Sequence, residues 1–248
     1  MLDRSSAMLR IVRRFWVLAA LSLAPAIATS FARFAYALLL PAMRSELDLN
    51  YSQAGSLSTA NAIGYLVGAL LCGRYAPRFG NRRLFSFGIV VTALALAGSG
   101  LVDSYGAQLV LRAAAGASSA MIFISGAVLA TNLFADRPER ASGAIAVYFG
   151  GAGAGIVLSG VGIPWLLTSM GDSAWRIAWL GIGGTSVLFG IASIVAAHRI
   201  QEPSRAAAAQ PWSIGEFRGA LASYFLFRAG YIPDKTFVVA WVVGKEEK

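Results

Sequence analysis

Charge is scarce in this sequence. Only 13% of its 248 residues are Asp, Glu, Lys or Arg, against about 25% in an average soluble domain. Lysine is nearly missing: Lys235, Lys245 and Lys248 are the only three, and the first 234 residues use arginine alone. Cysteine falls to one, Cys72, which excludes an intrachain disulfide framework. With a single histidine, His198, there is no zinc spacing and no serine–histidine–acid set. No phosphate-cradling loop appears either, so neither a cofactor nor catalytic chemistry is expected and the chain does not read as an enzyme. What replaces charge is hydrocarbon: 57% of residues are hydrophobic and mean hydropathy is +0.63. A soluble fold of this length cannot hide that excess and still cover its surface with polar groups. An ordinary cytosolic protein is therefore excluded, as are disordered and collagen-like chains.

The hydrocarbon is arranged in charge-free runs at 49–73, 84–102, 113–135, 141–171 and 177–201, with a further run, 15–43, broken only by Arg33. A bilayer-spanning helix needs about 20 apolar residues, and lipid forces each span to satisfy its own backbone, as a helix does. The sequence therefore predicts an all-α integral membrane bundle of six helices over 15–42, 52–73, 84–102, 106–133, 142–167 and 174–197. Residues 1–14 form a basic segment before the 15–197 bundle, and 198–215 form a linker after it. Residues 216–248 begin another apolar pattern that Arg228, Pro233, Asp234 and Lys235 interrupt. Two readings of this ending stand: a short charged terminus, or an incomplete seventh helix lost by truncation or a frame change. The small-residue triplet Ala26-Ile27-Ala28 imitates a signal-peptide cleavage site, but the apolar pattern continues to Pro41, which favours a retained span. Whether Met1 or Met8 starts the chain is open.

Basic residues sort by side. Arg4, Arg10, Arg13 and Arg14, the arginines at 74, 78, 82 and 83, Arg137, Arg140, and those at 199, 205 and 218 fall on one face, and only Arg44 and Arg176 on the other. Lys/Arg excess marks the cytoplasmic side, so the N-terminus and the linker are expected inside. The isoelectric point near 10.2 is explained by this topology and by anionic lipid. No nucleic-acid module is visible, and the bilayer is the expected partner.

Within the spans, two arginines carry the strongest functional signal. An arginine in a span costs from about 2.5 to more than 10 kcal/mol depending on the scale, so it persists where it faces a cavity or a partner. Arg112, followed by Gly116, lies early in the fourth helix, where snorkelling to the outer surface is the competing reading. Arg33 lies deeper, with ten uncharged residues before Arg44, so snorkelling is harder. Tyr36 follows one turn later on the same face. Two cations with no Asp or Glu in the six helices suit an anionic solute. Gly64-x-x-x-Gly68 in the second helix and Gly151-x-x-x-Gly155 in the fifth are spaced for close helix packing, which is a better reading than a dinucleotide fingerprint. Trp175, Arg176 and Trp179 read as interfacial anchors, and His198 as a solvated inner-end histidine. The stretch Gly73-Arg74-Tyr75-Ala76-Pro77-Arg78-Phe79-Gly80-Asn81-Arg82-Arg83 reads as a tight inner turn.

That turn resembles the second-to-third-loop signature Gly-x-x-x-Asp-Arg-x-Gly-Arg-Arg of the major facilitator superfamily. Gly73, Arg78, Gly80, Arg82 and Arg83 match; Pro77 replaces the Asp. Arg112 and Gly116 resemble the Arg-x-x-x-Gly motif of its fourth helix. The glycines of the fifth helix resemble its antiporter motif without the Gly-Pro pair. The string from Phe31 to Pro41 resembles the YbfB/YjiJ-like branch. The resemblance implies a six-helix N-terminal half built from two inverted three-helix repeats, in a bacterial-type inner membrane. It implies alternating-access secondary transport of a small solute, of the proton-linked kind, with the inner loop acting as a gate. A complete single domain of this type is about 150 residues longer, so a second half-transporter or a homodimer is the expected partner. The alternatives are a non-transporting truncated membrane protein and a helix–helix interaction protein.

Overall fold

Six helices long and apolar enough to cross a membrane make up the computed structural model, which describes residues 2–202, with side chains from Val12, and the isolated positions 219, 222 and 223. The spans are Val12–Glu46, Tyr51–Phe79, Asn81–Ser99, Tyr105–Asn132, Pro138–Met170 and Asp172–His198. Residues 1–206 make one compact unit and 207–248 another; the fold described is that of the first. The seventh helix expected within 216–248 lies, apart from three positions, outside the described residues.

The ends of the helices follow local chemistry. Asn50 and Gln53 form a reciprocal capping box at the start of the second helix, with bonds of 2.9 and 3.0 Å. Ser104 accepts from the Ala107 N–H at the start of the fourth. The first helix is continuous but widened: residues Ala26–Phe34 run as π-helical turns, and the Ala35 N–H reaches back five residues to the Ser30 carbonyl. The widening begins directly after Pro25, which has no N–H to offer the preceding turn.

The connection between the second and third helices differs from the expected loop. The second helix continues past Gly73 and Arg74 to Phe79, and the third begins at Asn81, so the turn is one residue, Gly80, at φ +86°. Only glycine adopts that angle without strain. Gly73 sits inside the helix with open space around it. Arginine is a good helix former, so the basic residues that end the apolar run do not end the helix.

The second helix packs along the fourth and the fifth along the first; the third packs on the fourth and the sixth on the first; third and sixth meet each other. Exchanging helices one to three for four to six leaves this pattern unchanged, as two related three-helix repeats require. Hydroxyls stitch the crossings. Ser30 donates to the Ala152 carbonyl at 2.6 Å, Ser193 to Ala20 at 2.8 Å and Tyr148 to Ile122 at 2.9 Å. Thr92 and Ser118 share a bond of 2.7 Å. In lipid such bonds add to packing because a polar group left alone in hydrocarbon is penalised. Cys72 is buried against the Ser125 hydroxyl at 3.3 Å.

Between the fourth and fifth spans, Asp136 accepts from Arg14 at 2.8 and 3.0 Å. This bond holds the Asp136 carboxyl below its ordinary value. A depressed carboxyl contributes stability above its unfolded pKa of about 3.9 and loses it as pH falls through the folded value. Asp136→Asn should therefore lower the thermal midpoint slightly at neutral pH, match the parent in acid once Asp136 is protonated, and so flatten the acid limb of the profile below about pH 4.

Candidate functional site

A cavity of about 300 Å³ opens between the first, second and fourth helices, lined by Arg33, Tyr36, Ser58, Asn61, Ala62 and Arg112. Arg112 is its most unusual member. It lies seven residues into the fourth helix, counted from Tyr105, and is 1% exposed, so it does not snorkel to the outer surface. One guanidinium nitrogen, Nη1, donates to the Ala32 carbonyl at a long 3.4 Å. Nε and Nη2 are buried with no hydrogen-bond partner. The guanidinium lies 4.4 Å from the Trp179 ring centre and 5.1 Å from that of Tyr36. Aromatic faces stabilise a cation but donate nothing to its remaining N–H groups.

The neighbours fix this arrangement. Tyr36 is buried, and its hydroxyl is committed to the Ala54 carbonyl at 2.8 Å, which holds the ring against Arg112. Asn61 donates to the Arg112 carbonyl at 3.1 Å and reaches the same Ala32 carbonyl at 3.5 Å. Arg33 is exposed at the cavity edge, its guanidinium 4.8 Å from the Tyr65 ring centre. Arg112 is thus enclosed by the bundle, whereas Arg33 is exposed. Among the described residues the ion pairs are Arg14–Asp136, Arg82–Glu202, Arg176–Glu46 and Arg176–Asp103, and none involves Arg33 or Arg112. The cavity lining therefore gathers two guanidinium groups that form no ion pair among the described residues.

Two contributors were not legible as site residues. Asn61 carries a weak signal, a lone amide inside a span. Trp179 was expected at the interface with Trp175, and the structure corrects this: both are fully buried. The Trp175 indole donates to Glu46 at 2.8 Å and the Trp179 indole to the Met43 sulfur at 3.2 Å. Arg176 stays near the surface and bridges Glu46 at 2.8 Å and Asp103 at 2.5 Å. This clamp ties the end of the first helix to the start of the sixth.

At the turn between the second and third helices, where Pro77 stands in place of the Asp of the loop signature, a carboxylate approaches from beyond the sixth helix. Glu202, after the sixth helix, accepts the backbone N–H of Asn81 at 3.2 Å and of Arg82 at 2.5 Å. Arg82 also donates to the Ile200 carbonyl at 2.5 Å. A side chain on Gly80 would meet the Glu202 carboxylate at 2.8 Å. Arg83 is exposed, and Arg78 lies 5.5 Å from the Phe79 ring centre. Hydrogen bonds to a charged acceptor contribute about 1.5–3 kcal/mol. Glu202→Ala should accordingly speed hydrogen exchange at the Asn81 and Arg82 amides by roughly tenfold or more, while amides in the middle of the third helix stay unchanged.

The singled-out glycines lie where backbones cross. A Cβ on Gly64 would run into the Ala113 carbonyl, on Gly68 into that of Ala117, and on Gly116 into that of Asn61. On the other side of the bundle, Gly151 faces the Ser22 carbonyl, and Gly155 faces Ala26 and Ser30.

These features have relatives. The chain is 23% identical over 211 residues to the "Uncharacterized MFS-type transporter YceJ" of Bacillus subtilis (strain 168), an alignment covering 82% of this chain and 53% of that protein. It therefore spans about half the length of the curated relative it matches. Residues 25–247, most of the sequence, match the family described as "Uncharacterised MFS-type transporter YbfB", and the chain belongs to that family of major facilitator transporters.

Proposed function

We propose that the chain is one six-helix bundle of a secondary transporter for small anionic solutes, with Arg33, Tyr36 and Arg112 in its substrate site. The observation that carries this reading is the enclosed Arg112 guanidinium, whose Nε and Nη2 have no acceptor beside a cavity of about 300 Å³. A carboxylate, phosphate or sulfate oxygen entering there gains charge-assisted bonds to groups already desolvated and oriented. Asn61 and the Tyr36 ring hold that donor in place, and Arg33 supplies a second positive charge at the entrance.

Alternating access needs two bundles rocking about a shared site, so a second half-transporter or a second copy of this chain closes the cavity. The Gly80 turn with Arg78, Arg82 and Arg83 serves as the inner gate, and Glu202 holds it where the usual carboxylate is replaced. The described spans contain no membrane-embedded carboxylate. A coupled proton therefore travels on the solute itself or through residues outside these spans. Arginine placement supports a bacterial-type inner membrane with the N-terminus in the cytoplasm.

The test is uptake by proteoliposomes holding the purified chain, using labelled acetate, succinate, phosphate and sulfate with arginine and glucose as controls. The account expects saturable uptake of at least one anion and none of the cationic or neutral control. Uptake of arginine or glucose at a comparable rate contradicts it.

A further inference from the structure

A second groove lies away from the substrate cavity, between the first and sixth helices at the arginine-rich end. Its volume is about 320 Å³, and Arg13 and Arg199 line it together with the apolar side chains Val17, Ala20, Val195 and Ala196. We propose that this groove is a site for an anionic phospholipid of the inner leaflet, with the phosphate between Arg13 and Arg199 and an acyl chain along the apolar wall.

Three observations carry the assignment. First, the nearby carboxylates are already engaged. Asp136 accepts from Arg14, and Glu202 from the Asn81 and Arg82 amides. Arg13 and Arg199 are both exposed and form no ion pair among the described residues. Second, the groove lies between packed helices: the small side chains Ala20, Ala192 and Ala196 leave the space, and the Ser193 hydroxyl joins the sixth helix to the first through the Ala20 carbonyl at 2.8 Å. Third, hydrocarbon surrounds it. Trp16 is 67% exposed and Val195 is 50% exposed, so the wall below the two arginines faces lipid tails. A soluble anion gains nothing from that wall. A diacyl lipid gains from it along its length, and basic pockets between helix ends at the cytoplasmic surface suit anionic headgroups.

The experiment uses the purified full chain in mild detergent, with lipid retention read by native mass spectrometry and thermal unfolding. Phosphatidylglycerol is compared with phosphatidylcholine of the same acyl composition. Two arginines worth roughly fivefold each predict about a thirtyfold preference for phosphatidylglycerol. Arg13→Gln with Arg199→Gln should bring the preference to within about twofold. Arg74→Gln with Arg83→Gln, which removes two other charges from the same face, should leave it intact. Ala192→Leu, which narrows the groove and keeps both arginines, should also weaken retention. Equal retention of the two lipids overturns the site. So does equal loss in the Arg74/Arg83 control, which would mean unspecific surface charge. Stabilisation by inorganic phosphate matching that by phosphatidylglycerol, or an Ala192→Leu variant that binds normally, overturns the lipid as occupant.

Discussion

Arg112→Met lowers anion affinity by about a hundredfold and leaves the bundle at least as stable as the parent. Two effects decide the sign. Each buried guanidinium nitrogen without an acceptor costs about 1–3 kcal/mol, and Nε and Nη2 are both in that position. Against this, each aromatic contact to a cation returns about 0.5–2 kcal/mol, and Arg112 has two, to Trp179 and Tyr36. These terms nearly cancel, and a methionine of similar reach still packs on both rings. The thermal midpoint without ligand should stay level or rise, while anion affinity falls by about a hundredfold, as expected when a charged, desolvated hydrogen-bond donor is removed. A structural arginine predicts the opposite pattern, with a large drop in stability. Arg112→Lys should restore little, since a point charge cannot reproduce the fixed fork of donors. Equilibrium binding and thermal unfolding of the same preparations separate the two cases.

The second large effect concerns neighbouring glycines that sequence alone does not distinguish. Gly151→Val should prevent the first and fifth helices from docking, because its Cβ would lie within the Ser22 carbonyl. Helix one has to move away, and the nearby Ser30–Ala152 bond of 2.6 Å breaks with it. Overpacking of about 1–3 kcal/mol together with the lost interhelical bond, about 0.6–2 kcal/mol in lipid, is a large share of the roughly 5–15 kcal/mol that holds a domain folded. Gly153→Val, two residues on, meets open space and should change stability by no more than about 0.5 kcal/mol. Gly68→Leu against Gly73→Leu makes the same comparison in the second helix. The fraction of monodisperse protein after solubilisation, followed by thermal unfolding, checks both pairs.

These pairs mark the limit of what the sequence carried. Six spans were legible because lipid leaves a long charge-free run few alternatives to a helix. Arg33 and Arg112 stood out because a charge in a span is too unfavourable to be incidental. The rest depends on contacts distant in sequence. Trp175 and Trp179 sit where interfacial tryptophans sit, and they turn inward only because Glu46 and Met43 of the first helix receive their indole N–H groups. Gly80 and Gly73 look alike in the motif, but only Gly80 bears the positive φ. Glu202 lies 120 residues beyond Arg82, and nothing local shows that it supplies the carboxylate the loop lacks. The widened turns after Pro25 likewise rest on backbone geometry that the residue pattern over Ala26–Phe34 does not announce.

Thermal unfolding of the purified chain against matched small anions, cations and neutral solutes tests the central claim most directly. The account predicts a raised midpoint with at least one anion and with no cation or neutral solute, and loss of that shift in Arg112→Met. An equal shift from a cation or a neutral solute, or an anion shift that survives Arg112→Met, would contradict it.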